Sequence, residues 1–135
     1  MENEGVLFSL HAGYQIGTGH LLRCLNIAQY LVGKTSIFFS VDGDEVSATF
    51  AKEREIEVLE PRKVMELCPG VVVIDRLEVG TPFLLPFKEK KATVILLDSL
   101  SGWEMADVLV NALPHLPYQR HPPKEIGRAS CRERV

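Results

Sequence analysis

Apolar residues come in short runs along this chain, separated by polar stretches, and both periods of secondary structure can be read from them. Gly5–His11 (GVLFSLH), Thr35–Val41 (TSIFFSV), Val71–Asp75 (VVVID), Thr93–Asp98 (TVILLD) and Val108–Asn111 (VLVN) are strand-length segments, most of them rich in β-branched or aromatic residues. They are apolar at successive positions and do not alternate, which marks strands covered on both faces. Ile56–Leu59 is a briefer strand of the same kind. Gly19–Val32 has the other period: Leu21, Leu22, Leu25, Ala28, Leu31 and Val32 are spaced to form one apolar stripe on a helix. A polar helix is predicted over Asp44–Glu55, with Val46, Phe50 and Ala51 inward, after a turn at Asp42-Gly43-Asp44. Pro61 suits the first position of a short helix reaching Cys68, where Pro69-Gly70 breaks it. Residues 82–90 predict an irregular helix interrupted by Pro86, and Trp103–Ala106 a helical turn.

Strands alternating with helices at short spacing predict an α/β fold, a Rossmann-like parallel sheet with helices on both faces. In such a sheet ligands lie beyond the carboxyl ends of the strands. Those ends carry His11, Asp42, Asp75, Asp98 and Asn111. The domain is expected to occupy residues 1–113. Residues 114–124, with Pro114, Pro117, Pro122 and Pro123, cannot continue a helix or a central strand and read as a loop. Residues 125–135 (EIGRASCRERV) resemble the translation of one frame of a common sequencing adapter. They are therefore left out of fold reasoning. On that reading the natural protein continues past Lys124 with other residues, and the tail is expected to be disordered or loosely attached.

Composition narrows the function classes. The chain has 135 residues, enough for one small domain with a core, and a net charge of −3, which gives no sign of a nucleic-acid footprint. No apolar run approaches the ~20 residues that span a bilayer, so no membrane span is expected. The opening Met-Glu-Asn-Glu is acidic, unlike the basic start of a secretory signal. The three cysteines lack the spacing of a zinc site or a disulfide scaffold. A cytoplasmic home, with no metal and no cofactor, is the expectation. Cys24, Met65, Cys68 and Trp103 read as packing residues.

The chemistry is concentrated in residues 15–25. Gly17 and Gly19 allow a sharp turn and a close ligand approach just before a helix. The first N–H groups of that helix lack internal partners, and its dipole there is positive, which favours anions. His20 lies in the first turn, where the dipole disfavours the imidazolium and leaves a neutral ring able to accept a proton. Arg23, a turn further on, is either a planar fork for phosphate or a partner in an ion pair. Asp75 and Asp98 are either cap and turn carboxylates or ligands for sugar hydroxyls. Asp42 lies about 20 residues past the glycines, where a dinucleotide fold puts its ribose-binding acid. Against that reading, Gly17-x-Gly19-x-x-Leu22 has leucine in place of the third glycine, and the loop from His11 is long.

Gln15-Ile-Gly-Thr-Gly-His20-Leu-Leu-Arg23-Cys-Leu resembles the I-G-x-G-H-x-x-R-C-L segment of the nucleotide-sugar hydrolases of pseudaminic acid biosynthesis. These are relatives of the glycosyltransferase that makes lipid II and share its two-domain glycosyltransferase-B-like fold. Val72-Val-Ile-Asp75 is similar to the family's I-I-D, and Val94-Ile-Leu-Leu-Asp98 to its strand ending in D-D or D-S. Ala106-Asp-Val-Leu-Val-Asn111 resembles its A-D-x-x-x-N. The resemblance covers most of residues 5–113.

It implies hydrolysis of a UDP-acetamido sugar at its anomeric carbon, with His20 as the base that activates water. Gln15, Gly17, Thr18, Gly19, Arg23, Asp75, Asp98 and Asn111 are the expected substrate-binding residues. A second, nucleotide-holding domain is the expected partner, and this chain by itself is expected to turn over little substrate. Two places depart from the pattern. His11 and Gly13 stand where the family commonly has an acid and then a serine, and Arg76-Leu77 where it often has a polar aromatic pair. The departures leave room for transfer of the sugar to an acceptor, or for a nucleotide-sugar-binding module without chemistry.

Overall fold

The computed structural model describes residues 4–12, 19–43, 56–111 and 126–128. In chain order the elements are β1 (Val6–Ala12), α1 (Gly19–Gln29), β2 (Ile37–Gly43), β3 (Glu57–Val58), α2 (Pro61–Val64), β4 (Val71–Asp75), α3 (Thr81–Glu89), β5 (Thr93–Leu97), a 3-10 turn (Trp103–Met105), β6 (Val108–Asn111) and β7 (Ile126–Arg128). The strands form one sheet in the order β3-β2-β1-β4-β5-β6-β7, and every neighbouring pair is parallel. This is the α/β, Rossmann-like parallel sheet that the apolar runs predict.

Alternate residues of the central strands belong to two separate cores, as a period of two requires. Val6, Phe8, Leu10, Phe39, Val73 and Leu97 cluster with Leu21, Cys24, Leu25 and Ala28 of α1. Leu7, Val72, Ile74, Val94, Leu96 and Leu109 cluster with Val64 of α2, Leu84 and Phe87 of α3, and Trp103. Each fully buried leucine or phenylalanine contributes about 1.5–3 kcal/mol. The short strands therefore hold together by side-chain burial as well as by their ladders.

Several boundaries differ from the predicted ones. α1 stops at Gln29 instead of Val32, because the chain tightens into shorter bonds (Leu31 N–H to the Ala28 carbonyl, Lys34 N–H to the Leu31 carbonyl) before Gly33 turns left-handed at φ 83°. β2 runs on through Asp42 and Gly43, which pair with His11 and Ala12, so these two residues belong to the strand and not to the predicted turn. The helix opened by Pro61 ends at Val64, and Glu66 and Leu67 continue in turns. α3 runs through Pro86 as one helix. The ring removes one hydrogen bond, while Leu84 and Phe87 on either side are anchored in the core. The helix predicted over Asp44–Glu55 and the loop 13–18 lie outside the described residues.

The tail differs too. Ile126–Arg128 pairs with Leu109–Asn111 as the outermost strand. An open sheet edge presents unpaired N–H and C=O groups, and an extended segment can join it through its backbone whatever its side chains. Among the described residues no helix is long and apolar enough to cross a membrane.

Candidate active site

The sheet order reverses at β1. The chain steps from β1 to β2 and β3 on one side, then returns to place β4, β5 and β6 on the other. At such a reversal the connections leave in opposite directions, which opens a crevice at the carboxyl ends of the two central strands. Here those strands are β1 and β4, and α1 begins beside them. Residues 20, 23 and 24 are spaced by three and four, so they share one helical face. That face meets the end of β4.

All three side chains converge on Asp75, the last residue of β4, which is completely buried. His20 Nδ1 lies 2.6 Å from Asp75 Oδ1. Arg23 donates from Nη2 to Oδ1 at 2.6 Å and from Nε to Oδ2 at 2.9 Å, a bidentate fork. The Cys24 thiol approaches Oδ2 at 3.7 Å. The carboxylate thus has four neighbours for its roughly four lone-pair positions. The remaining arm of the fork, Nη1, donates to Asp98 Oδ2 at 2.7 Å. Asp98 follows β5, is buried, and holds a left-handed backbone at φ 51°. Aspartate tolerates that conformation better than most residues, at a cost of about 1 kcal/mol.

The electrostatics follow from this packing. Hydrogen bonds donated to Asp75 chiefly, opposed by burial and assisted by Asp98, hold the Arg23 proton more tightly than usual. Burial foremost, with the adjacent Asp75 charge, pushes the Cys24 thiol well above its ordinary range. Cys24 is thereby a packing residue and no nucleophile. A carboxylate oxygen can only accept, so the short contact to Asp75 calls for a proton on His20 Nδ1, and in the neutral ring Nε2 then carries the lone pair. The His20 side chain is 32% exposed, so water reaches it. An imidazole oriented through one nitrogen by a buried carboxylate, with the other free to accept, is the arrangement of a general base.

No family model, curated protein or solved structure matches the chain.

Of the residues singled out by sequence, His20, Arg23, Asp75 and Asp98 are brought together. Of the two alternatives left open for Arg23, the fold shows the ion pair: Arg23 forks Asp75 and reaches Asp98, and Asp75 spends its oxygens on His20 and Arg23. The reason is burial: a carboxylate this deep requires a cation and donors of its own. Gly19 opens α1, and a Cβ built on it would meet no described atom within 4 Å. Asn111 is the last residue of β6. Gln15, Gly17 and Thr18 lie outside the described residues. Among the described residues no group of three His, Cys, Asp or Glu side chains is placed to hold a metal ion.

A second polar cluster was not anticipated. Arg76 donates from Nε to Ser9 Oγ at 3.1 Å, pairs through Nη1 with Asp42 Oδ2 at 2.7 Å, and lies 5.3 Å above the Phe83 ring. Asp42, the acid of the dinucleotide reading, is thus engaged with Arg76. Two sequence signals could have indicated the cluster: a serine inside the apolar run of β1, and an arginine directly after the apolar run of β4. Neither names the partner, which lies 67 residues away for Ser9.

Proposed function

We propose that this chain is the N-terminal domain of an enzyme that cleaves a UDP-acetamido sugar with water, and that His20 is its general base. The observation that carries the reading is the 2.6 Å contact of His20 Nδ1 with buried Asp75 beside the sheet's reversal point. The resemblance of residues 15–25 to nucleotide-sugar hydrolases supplies the substrate class. In the proposed step water's oxygen bonds to the anomeric carbon. The bond from that carbon to the diphosphate breaks, and its electron pair leaves with UDP. Water's proton passes to His20 Nε2, and Asp75 stabilises the imidazolium. The N-terminus of α1 adds a positive end to the site, and Gly19, whose Cβ position meets no described atom within 4 Å, lets a ligand approach the backbone. The nucleotide is held chiefly by a second domain.

The test uses the protein encoded by the complete reading frame of the gene, incubated with UDP-acetamido sugars in ¹⁸O-labelled water. Free UDP and a singly labelled sugar are expected. His20→Ala is expected to lower kcat by about 10²–10⁴-fold, with a small change in KM. The 135-residue chain alone is expected to release little UDP. Unchanged turnover by His20→Ala would remove the base. UDP release only with an added acceptor alcohol would make the enzyme a glycosyltransferase, and binding without turnover would make the domain a recognition module.

A further inference from the structure

The network does not end at the His20–Asp75 pair. Asp75 could hold the imidazole in more than one way if its carboxylate were free to rotate about its last bond. The Arg23 fork prevents this by engaging both oxygens, at 2.6 and 2.9 Å. The fork is in turn fixed from its far side by Asp98 at 2.7 Å from Nη1. Asp98 is itself held: its N–H donates to the Val110 carbonyl, and its left-handed backbone turns the chain out of β5. The residues after it are tied to those after β4, since Ser99 Oγ donates to the Arg76 carbonyl and Leu100 N–H to the Leu77 carbonyl.

We propose that Asp98 and Arg23 are positioning residues: Asp98 holds the Arg23 fork, the fork locks the Asp75 carboxylate, and the locked carboxylate keeps His20 in the single tautomer protonated on Nδ1. The inference deepens the general-base reading and rests on it for its consequence, but the tautomer is a property of the free protein. Among the described residues, the charged and titratable groups joined to the ring are Asp75 from β4 directly, Arg23 and Cys24 from α1 through Asp75, and Asp98 after β5 through Arg23. His11 occupies the β1 positions alternate to those that pack with α1. Asp98 is too deeply buried to be a solvated surface charge. Removing it leaves Arg23 with an idle arm, and a guanidinium with one partner can swing off the bidentate geometry.

The experiment is nitrogen-15 NMR of the imidazole rings in the 135-residue chain, with the His20 signals assigned by their loss in His20→Gln. Wild type is expected to show one tautomer, Nδ1 protonated and Nε2 bare. Asp98→Asn keeps an oxygen for Nη1 and is expected to retain that tautomer. Asp98→Ala and Arg23→Lys are expected to give mixed tautomers, with the Nδ1 proton exchanging at least tenfold faster. If Asp98→Ala does not fold, Asp98→Ser read the same way decides. A folded Asp98→Ala or Asp98→Ser with His20 signals like wild type overturns the inference and leaves the general base standing. A wild-type ring protonated on Nε2 overturns both. A lone Nδ1 tautomer in a complete protein that cleaves no nucleotide sugar overturns the proposed function and leaves the positioning network intact.

Discussion

At the scale of single residues, one buried carboxylate organises the site. Asp75 is tolerated in the interior because Arg23 supplies its counter-charge and His20 a further donor. The same charge acts on Cys24, whose thiol is pushed up mainly by burial. A thiol with a raised pKa holds its proton until the solution is well above neutral, so the reactive thiolate is scarce below that point. Alkylation followed by peptide mapping is expected to label half-buried Cys68 well before Cys24. Raising the pH to about 9 is expected to leave Cys24 unmodified, and denaturant to expose it. Prompt labelling of Cys24 in the native chain would contradict the packing described for the N-terminal end of α1.

At the scale of elements, the site depends on two loops at the carboxyl edge being tied to each other. Val79 N–H donates to Ser101 Oγ, and Ser101 Oγ donates back to the Val79 carbonyl. Trp103 Nε1 donates to the Ser99 carbonyl, which anchors the second loop in the core. Gly102 makes this crossing possible. Its φ is 80°, and a Cβ there would lie 2.9 Å from Leu84 Cδ1 and 3.0 Å from the Val79 carbonyl oxygen. Gly102→Ala is accordingly expected to cost about 2 kcal/mol, from left-handed strain together with overpacking, as a lower midpoint in urea. Gly19→Ala contrasts with it. A Cβ there meets no described atom, and alanine favours a helix over glycine, so the midpoint is expected to hold or rise. UDP-sugar binding by the complete protein is expected to weaken instead. A stability loss at Gly19 equal to that at Gly102 would show that the glycine serves packing.

At the scale of the whole molecule, the parallel order places His20 and Arg23 of α1 against the ends of β4 and β5, and no local feature could do this. The far edge of the sheet is a different matter. β7 rests on three residues that pair with β6, within a segment whose sequence resembles an adapter translation. A chain ending at Lys124 is expected to unfold at the same urea midpoint as the 135-residue chain. A clear drop would make β7 a native part of the sheet. Sequencing of the source locus addresses the same point, and different codons after Lys124 are the expected result.

The sequence by itself determined what depends on neighbouring residues. β4 and β6 begin and end where their apolar runs do, and α1 begins at Gly19 as its stripe predicts, because period and propensity are encoded within a few positions. His20 and Arg23 were likewise legible as candidates a turn apart at the start of that helix. Tertiary structure decided which groups those side chains meet. Asp75 lies 55 residues from His20, and Asp98 lies 75 from Arg23. Those partnerships exist only because the chain crosses from β3 back over β1 to lay down β4. The same crossing pairs Arg76 with Asp42 and turns two candidate ligand residues, Arg23 and Asp75, toward each other. A buried carboxylate is satisfied by whichever cation and donors the fold brings within reach, and strand order, which no local pattern specifies, sets that reach.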